Sequence, residues 1–136
     1  MKKVLFVCVH NAGRSQMAEA FFNQMAKGKA KGSSAGTQPS EKVNPTVVEA
    51  MREAGIDIGR RKPKVLTFEM LEHAARVITM GCSVEQACPA SFVTTEEWQL
   101  DDPEGKPIEQ VRQIRNEIEA RVERLIEELA GLEKFT

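Results

Sequence analysis

Residues 3–15, which read KVLFVCVHNAGRS, decide the fold that we expect for this chain. The apolar, β-branched run at 3–8 is typical of a buried strand in a parallel sheet. Turn residues follow at 11–13, and apolar residues then recur at helical spacing from Met17 to Met25. A strand, a glycine-containing turn and a helix in this order predict the first unit of an α/β domain.

The rest of the chain continues this alternation. A weak strand pattern lies at 31–35, a second good strand pattern at 76–80, and a short final strand is expected at 98–100. Helices are predicted from Asn44-Pro45 to Gly55, from a Thr67 cap through Leu71, and at 106–129, where apolar residues form one stripe. We therefore expect a single domain over residues 1–136, with a small, about four-stranded parallel sheet and helices on both faces in three layers.

Composition excludes several classes of protein. Lys and Arg number 19 against 20 Asp and Glu, which argues against a nucleic-acid-binding protein. No apolar run approaches the roughly 18–20 residues of a membrane helix, and no secretory leader is apparent. Three cysteines do not form a structural disulfide framework. We expect a cytoplasmic protein with no membrane partner, no metal site and no bound organic cofactor.

The segment from Cys8 to Ser15 predicts an oxyanion site. A cysteine and an arginine six positions apart can close a loop around a tetrahedral anion, with the backbone N–H groups pointing inward and the next helix adding its positive end. Arg14 can hold two oxygens at once, and the same field favours a thiolate at Cys8. The predicted oxyanion-binding residues are Val9, His10, Asn11, Ala12, Gly13, Arg14 and Ser15.

Three residues of this loop have two interpretations each. Ser15 can donate a hydrogen bond to the thiolate or cap the following helix. Asn11 can hold the loop in shape or serve as a turn residue that tolerates a left-handed conformation. His10 can tune the thiolate, although an exposed loop histidine is the simpler expectation.

The C-x5-R-S pattern near the N-terminus, followed by a helix, resembles the active-site loop of low-molecular-weight protein tyrosine phosphatases and of the arsenate reductases built on the same fold. The resemblance implies that Cys8 is the nucleophile and Arg14 its anion-binding partner. In these families an Asp directly before a Pro on a late loop is the general acid, which maps onto Asp102. We expect Asp101 to be a loop residue or a support for the site.

Two further cysteines, Cys82 and Cys88, flank a short loop after the predicted strand at 76–80. This arrangement resembles the thioredoxin-coupled arsenate reductases. The resemblance implies that Cys8, Cys82 and Cys88 form a disulfide relay, with thioredoxin or a glutaredoxin-type protein as the external reductant. It also implies arsenate as substrate, with phosphate or sulfate as mimics. Related enzymes bind potassium near the active loop, but no residue here indicates that ion.

The residues that follow the predicted acid favour a small free oxyanion as the substrate. The tyrosine phosphatases keep aromatic residues beside the acid loop, whereas here Asp102-Pro103 is followed by Glu-Gly-Lys, and the chain contains no Tyr.

Two rival functions remain open at this point. One is a phosphomonoester hydrolase in which Cys82 and Cys88 are bystanders or redox protection. The other is an oxyanion-binding sensor, against which Asp102 counts, because a carboxylate disfavours the binding of a dianion.

The charged and amphipathic segments outside the loop have simpler interpretations. The basic residues Arg60, Arg61, Lys62 and Lys64 either steer anions or form a solvated loop, and we favour the loop. The last helix is expected to pack on the core rather than to pair with another chain, so we expect a monomer.

Overall fold

The computed structural model describes residues 2–81 and 95–134. Four strands form one parallel sheet in the order β2-β1-β3-β4. Their bounds are Lys2–Cys8 for β1, Ala30–Gly36 for β2, Arg76–Thr79 for β3 and Thr95–Glu97 for β4. The expected four-stranded parallel sheet is confirmed.

Helices cover both faces of the sheet. Their bounds are Arg14–Ala26 for α1, Pro45–Glu53 for α2, Phe68–His73 for α3 and Ile108–Lys134 for α4. The larger core joins one face of the sheet to α1, α2 and α4, and the smaller core joins the other face to α3. This is the three-layer arrangement that the alternation of strands and helices predicted.

Strand β1 lies in the middle of the sheet, and its residues from Val4 to Cys8 are buried. Because parallel strands end at the same edge of a sheet, Cys8 pairs with Gly36 at the carboxyl ends of β1 and β2. Open α/β sheets bind ligands beyond this edge. The loop that follows Cys8 therefore starts at the favoured position for a site.

The predicted final strand was wrong in position. Residues 98–100 are not a strand, and β4 lies three residues earlier. Trp98 still donates its backbone N–H to the Thr79 carbonyl at 2.9 Å, but its ring turns onto Phe6, with ring centroids 5.8 Å apart. The apolar character of Trp98 and Leu100 reflects packing on the helix-covered core rather than membership of the sheet.

Several helix boundaries also differ from the predictions. Helix α4 begins at Ile108 rather than at 106 and continues to Lys134, beyond the predicted end at 129. Its expected packing on the core is confirmed by the burial of its apolar stripe. The predicted Thr67 cap is confirmed, since its side chain accepts the Met70 backbone N–H. The side chain of Asn44, where the second helix was predicted to open, likewise accepts the Thr46 backbone N–H. Within the described residues, no helix combines the length and apolarity needed to cross a membrane.

Candidate active site

The loop after β1 is held in place by backbone hydrogen bonds from a neighbouring segment of the chain. Four of its carbonyl oxygens accept backbone hydrogen bonds from segment 37–44. They belong to Cys8, Val9, His10 and Ala12, with N···O distances between 2.8 and 3.3 Å. Gly36 makes this close approach possible, because a Cβ there would lie 2.6 Å from the Val9 carbonyl oxygen.

These outward carbonyls determine where the N–H groups point. A trans peptide is planar, so a carbonyl that points away from the loop interior directs the next N–H into it. The peptide after His10 demonstrates the effect, because the Asn11 N–H donates to Cys8 Sγ at 3.2 Å. The same orientation applies to the N–H groups of Val9, His10 and Gly13. The loop therefore presents a concave set of inward backbone N–H groups, a geometry suited to an anion.

Cys8 lies at the base of this site, and its side chain is buried. Its Sγ lies 2.8 Å from Ser15 Oγ. The interpretation of Ser15 as a helix cap is wrong, since α1 begins at Arg14 with Gly13 at its N-cap and no side-chain cap bond. Ser15 instead faces Cys8, which corresponds to the alternative interpretation.

Asn11 combines both of its predicted roles. Its backbone is left-handed, with φ of 50°. Its side chain is fully buried and donates from Nδ2 to Ser15 Oγ at 2.7 Å. On the other side, Asn11 Oδ1 accepts from Gln16 Nε2 at 3.1 Å and from the Lys64 backbone N–H at 2.9 Å. The carboxamide is thus held in one orientation.

Arg14 closes the loop on the side opposite Asn11. Only 8% of its side chain is exposed, and its guanidinium donates to the Leu100 carbonyl at 3.3 Å. A second guanidinium nitrogen lies 3.7 Å from Asp102 Oδ2. Gly81 packs directly against the guanidinium and leaves no room for a Cβ. A guanidinium held on several sides needs little reorganisation to bind an anion.

Asp102 lies beside the loop and lines the same cavity as Cys8. Its Oδ1 accepts the Glu104 backbone N–H at 3.0 Å, and about half of its side chain is exposed. Pro103 packs on Gly13, where a Cβ would come within 2.7 Å of the proline ring. Asp101 instead lines a separate depression with Gly81 and Leu100. The structure therefore brings Asp102, and not Asp101, to the cavity of Cys8.

The cavity above the loop has a volume of about 460 Å³. The described residues that line it include no Phe, Tyr or Trp. They are Cys8, His10, Ala12, Gly13, Arg14, Ser40, Glu41, Lys42, Asn44, Pro45, Asp102, Pro103 and Glu104. This described part of the wall offers no pair of such rings to enclose a phenyl group.

His10 lies at the rim of this cavity, and 41% of its side chain is exposed. Its Nδ1 lies 3.0 Å from the Gln38 carbonyl oxygen. Because a carbonyl only accepts, this contact assigns the proton to Nδ1. His10 Nε2 lies 4.0 Å from Glu104 Oε2. Among the described residues, the polar partners of Cys8 Sγ are Ser15 and Asn11 rather than His10.

The basic loop, which carries Arg60, Arg61, Lys62 and Lys64, is not wholly solvated. None of these four residues lines the cavity of Cys8. Arg61 and Lys64 both pair with Glu19, a carboxylate on α1 that is 6% exposed. Burial lowers the pKa of Arg61 and of Lys64 below their ordinary values, and repulsion by Arg61 adds to the effect on Lys64. These two residues are thus partly solvated and are also ion-paired with Glu19, which the interpretation as a solvated loop did not include.

Sequence reasoning missed two supports of the site, Gln16 and Gly36, and it also missed the burial of Glu19. Gln16 is buried and its Nε2 holds Asn11, although its position directly after Ser15 offered a hint. No pattern indicated that Glu19 is buried, because a glutamate on a helix is usually solvated.

The remaining predicted site residues, Cys82 and Cys88, lie outside the described residues. Within residues 2–81 and 95–134, no three His, Cys, Asp or Glu side chains come together as a metal-ligand group.

Comparison with known protein families assigns the chain to one of them. The sequence profile described as "Low molecular weight phosphotyrosine protein phosphatase" matches residues 3–134. The chain belongs to this family.

Two similar relatives carry a more specific name. The chain is 43% identical over 128 residues to a putative arsenate reductase of Halobacterium salinarum, covering 90% of this chain and 89% of that protein. It is 39% identical over 134 residues to a glutaredoxin arsenate reductase of a Synechocystis species, covering 96% and 100%.

A solved structure described as an arsenate reductase in the phosphate binding state superposes with a TM-score of 0.82. Its sequence is 38% identical, and the match covers 94% of this chain and 98% of that one. The similarity therefore extends over nearly the whole fold.

Proposed function

We propose that this protein reduces arsenate to arsenite, with Cys8 as the nucleophile and a dithiol protein as the source of electrons. The observation that carries the proposal is the pairing of Cys8 Sγ with Ser15 and Asn11 at the base of an anion loop. The arsenate reductases among the similar proteins support the choice of oxyanion.

The first step is nucleophilic attack on arsenic. The inward N–H groups and Arg14 hold arsenate while the Cys8 thiolate forms a sulfur–arsenic bond. One arsenic–oxygen bond breaks, and Asp102 gives its proton to the departing oxygen, which leaves as water. The contact between Arg14 and Asp102 supports this assignment, because it keeps the acid within reach of the anion site.

The second step transfers two electrons to arsenic. Cys82 attacks Cys8 Sγ, a disulfide forms, and the electron pair of the sulfur–arsenic bond leaves with arsenic as arsenite. Cys88 then attacks Cys82, which releases Cys8 as a thiol and leaves a Cys82–Cys88 disulfide. Gly81, the last described residue before the segment with both cysteines, lies against Arg14, which supports this order of attack.

An external dithiol reduces the final disulfide. Thioredoxin and a glutaredoxin-type protein are both candidates, and one similar protein is named a glutaredoxin arsenate reductase. No bound organic cofactor is required, because all electrons pass through sulfur.

The rival function is hydrolysis of a phosphomonoester at the same loop. Such a reaction needs a nucleophile, an acid and water, but no second sulfur. The lack of Phe, Tyr and Trp among the described lining of the cavity disfavours a phosphotyrosine substrate. A slow hydrolysis of small phosphates is compatible with both functions.

One experiment separates the two. Arsenate-dependent oxidation of thioredoxin or glutaredoxin is measured beside aryl-phosphate hydrolysis for the wild type and for Cys8→Ser, Cys82→Ser and Cys88→Ser. We expect Cys8→Ser to lose both activities, whereas the other two variants lose only multiple-turnover reduction. Cys88→Ser should accumulate a Cys8–Cys82 disulfide, detected by mass spectrometry of a non-reduced digest. Wild-type arsenate reduction in both Cys82→Ser and Cys88→Ser would refute the relay.

A further inference from the structure

The acid segment, residues 102–104, lies along the anion loop and contacts it at three points. The first contact is the ion pair of Asp102 with Arg14, whose charged atoms are 3.7 Å apart. The second is the packing of Pro103 on Gly13, where an added Cβ would come within 2.7 Å of the proline ring. These two contacts place the segment at the cavity above the loop. The third involves a histidine that the proposed reaction does not use.

This third contact joins His10 of the anion loop to Glu104 of the acid segment. His10 Nε2 lies 4.0 Å from Glu104 Oε2. The ring is held from its other side, because Nδ1 donates to the Gln38 carbonyl at 3.0 Å. The His10 carbonyl also accepts the Ser40 backbone N–H at 3.0 Å. Segment 37–44 therefore orients both the backbone and the ring of His10, and Nε2 faces the acid segment.

The protonation state of the ring decides whether this contact attracts. With a single proton on Nδ1, the His10 ring presents a lone pair at Nε2 to the Glu104 carboxylate. With a second proton, Nε2 can donate to Glu104 while Nδ1 keeps its bond to Gln38. The separation of 4.0 Å is too long for a hydrogen bond but short enough for an ion pair. The contact is therefore attractive only when the ring carries both protons.

A bound oxyanion favours the second proton on His10. The ring lines the cavity in which the anion would sit, and a dianion there attracts the imidazolium. The cations of the described wall oppose this proton, whereas its acidic groups favour it. These charged and titratable groups are Cys8, Arg14, Glu41, Lys42, Asp102 and Glu104. Entry of a dianion adds negative charge to this balance and so strengthens the contact with Glu104.

Glu104 carries the contact to Asp102. The Glu104 backbone N–H donates to Asp102 Oδ1 at 3.0 Å. Because Oδ1 accepts this bond, the transferable proton belongs on Oδ2, the oxygen that lies on the side of Arg14. A Glu104 side chain held by His10 restrains the piece of backbone that orients the Asp102 carboxyl group.

We propose that His10 is a positioning residue for the general acid, because its imidazolium holds Glu104 and thereby directs Asp102 Oδ2 at the bound oxyanion. This inference rests on the proposed role of Asp102. The pair is exposed, with 41% of the His10 side chain and 73% of the Glu104 side chain accessible. Exposed ion pairs change a rate or an equilibrium by about two- to fivefold, and we expect an effect of this size.

The first test requires no enzymatic activity. NMR follows the two histidines of the chain, His10 and His73, as the pH is varied with and without phosphate. His73 is the internal control, because its Nε2 lies 3.9 Å from Glu69 Oε1 and it does not line the cavity. We expect phosphate to move the titration of His10 to higher pH, and Glu104→Ala to move it to lower pH, with His73 unchanged. No shift in Glu104→Ala, or an equal shift in Glu41→Ala, overturns the proposal, because an equal shift would report only the charge of the cavity.

The second test measures the single-turnover rate of arsenate reduction at saturating arsenate. We expect Glu104→Ala to slow this step by about two- to fivefold near pH 6. Phosphate should bind to Glu104→Ala as tightly as to the wild type or more tightly, because a negative charge is removed. The loss of rate should shrink near pH 8.5, where an imidazole ordinarily lacks its second proton. A loss that is the same at both pH values indicates a merely structural role and overturns the proposal, as does an unchanged rate.

A combination of variants decides whether His10 acts through the acid. His10→Ala should slow the single-turnover step in the wild-type background but cause no further loss in the Asp102→Asn background. Rates are compared at saturating arsenate, because His10→Ala also removes a cation from the cavity and weakens anion binding. Equal losses in the two backgrounds overturn the proposal, since His10 would then act without Asp102.

Failure of the proposed function gives a different result. If the wild type does not reduce arsenate but hydrolyses phenyl phosphate, the reductase assignment fails, and the same variants are compared by that hydrolysis. If the wild type reduces arsenate and Glu104→Ala matches it, only the positioning role fails. Absence of both activities overturns the positioning role as well, because no acid-dependent step would then exist.

Discussion

Arg14 and Asp102 form an ion pair beside the anion loop, with a guanidinium nitrogen 3.7 Å from Asp102 Oδ2. The two side chains differ in exposure, since 8% of Arg14 and 48% of Asp102 is accessible. Arg14 is therefore enclosed by its surroundings, whereas Asp102 is accessible to solvent. In the proposed reaction, an incoming oxyanion would compete with Asp102 for the guanidinium and would meet the carboxyl group where a proton is needed.

Asp102→Asn tests the general acid. We expect the chemical step to slow by about 10²–10⁴-fold, the usual contribution of a positioned acid. Phosphate binding should survive or tighten, because a negative charge near the anion is removed. Single-turnover kinetics with arsenate and calorimetric titration with phosphate measure the two effects. Asp101→Asn is the neighbouring control, and a defect in Asp101→Asn alone would place the acid one residue earlier.

Arg14→Lys tests the need for a planar guanidinium. We expect phosphate affinity and arsenate reduction to fall by at least about tenfold, because a lysine keeps the charge but not the fork that binds two oxygens. The ammonium would also lose the fixed contact with the Leu100 carbonyl. Calorimetry with phosphate and steady-state kinetics measure the loss. Wild-type values for a folded Arg14→Lys variant would mean that Arg14 does not hold the substrate.

Gly81→Ala tests whether packing positions Arg14. Gly81 has a φ of 75°, and an added Cβ would collide with the Arg14 guanidinium. We expect weaker phosphate binding in addition to a loss of about 1 kcal/mol from left-handed backbone strain. Gly55→Ala is the matched control, because Gly55 has a φ of 86° and open space around it. Equal phosphate affinity in Gly81→Ala and Gly55→Ala would exclude steric control of Arg14.

Glu53 makes the stability of the α2–α4 contact dependent on pH. Hydrogen bonds from Arg112, and then from Arg115, lower the pKa of Glu53 to about 2, although burial opposes them. Because the folded pKa is depressed, the stabilisation is complete above the unfolded value near 4.5 and is lost as the pH falls towards 2.

Urea unfolding of the wild type and of Glu53→Gln checks this prediction. The wild type should be the more stable at about pH 7, and the difference should disappear as the solution is acidified through this window. Because the pair is solvent-exposed, added salt should also reduce the difference. A difference that persists at the acidic end would assign the effect to packing rather than to charge.

Much of the fold and of the site could be predicted from short segments. The strand, turn and helix around Cys8 are encoded by local periodicity and by a glycine-containing turn, so β1 and α1 were expected at nearly their observed positions. Helix α4 shows the limit of such patterns. Its apolar stripe predicted its buried face, whereas its last residues continue beyond the stripe without a local stop signal.

Sequence alone thus determined which chemical groups are available in the loop. Cys8 and Arg14 belong to one short loop, and the residues next to them encode its local geometry. Only the tertiary structure decided which groups hold that chemistry in place. Asn11 is bound by Lys64, 53 residues away, and Arg14 by Leu100, 86 residues away. Such contacts form when the sheet and helices pack, and no periodicity of sequence specifies which distant backbone group will then face a given side chain.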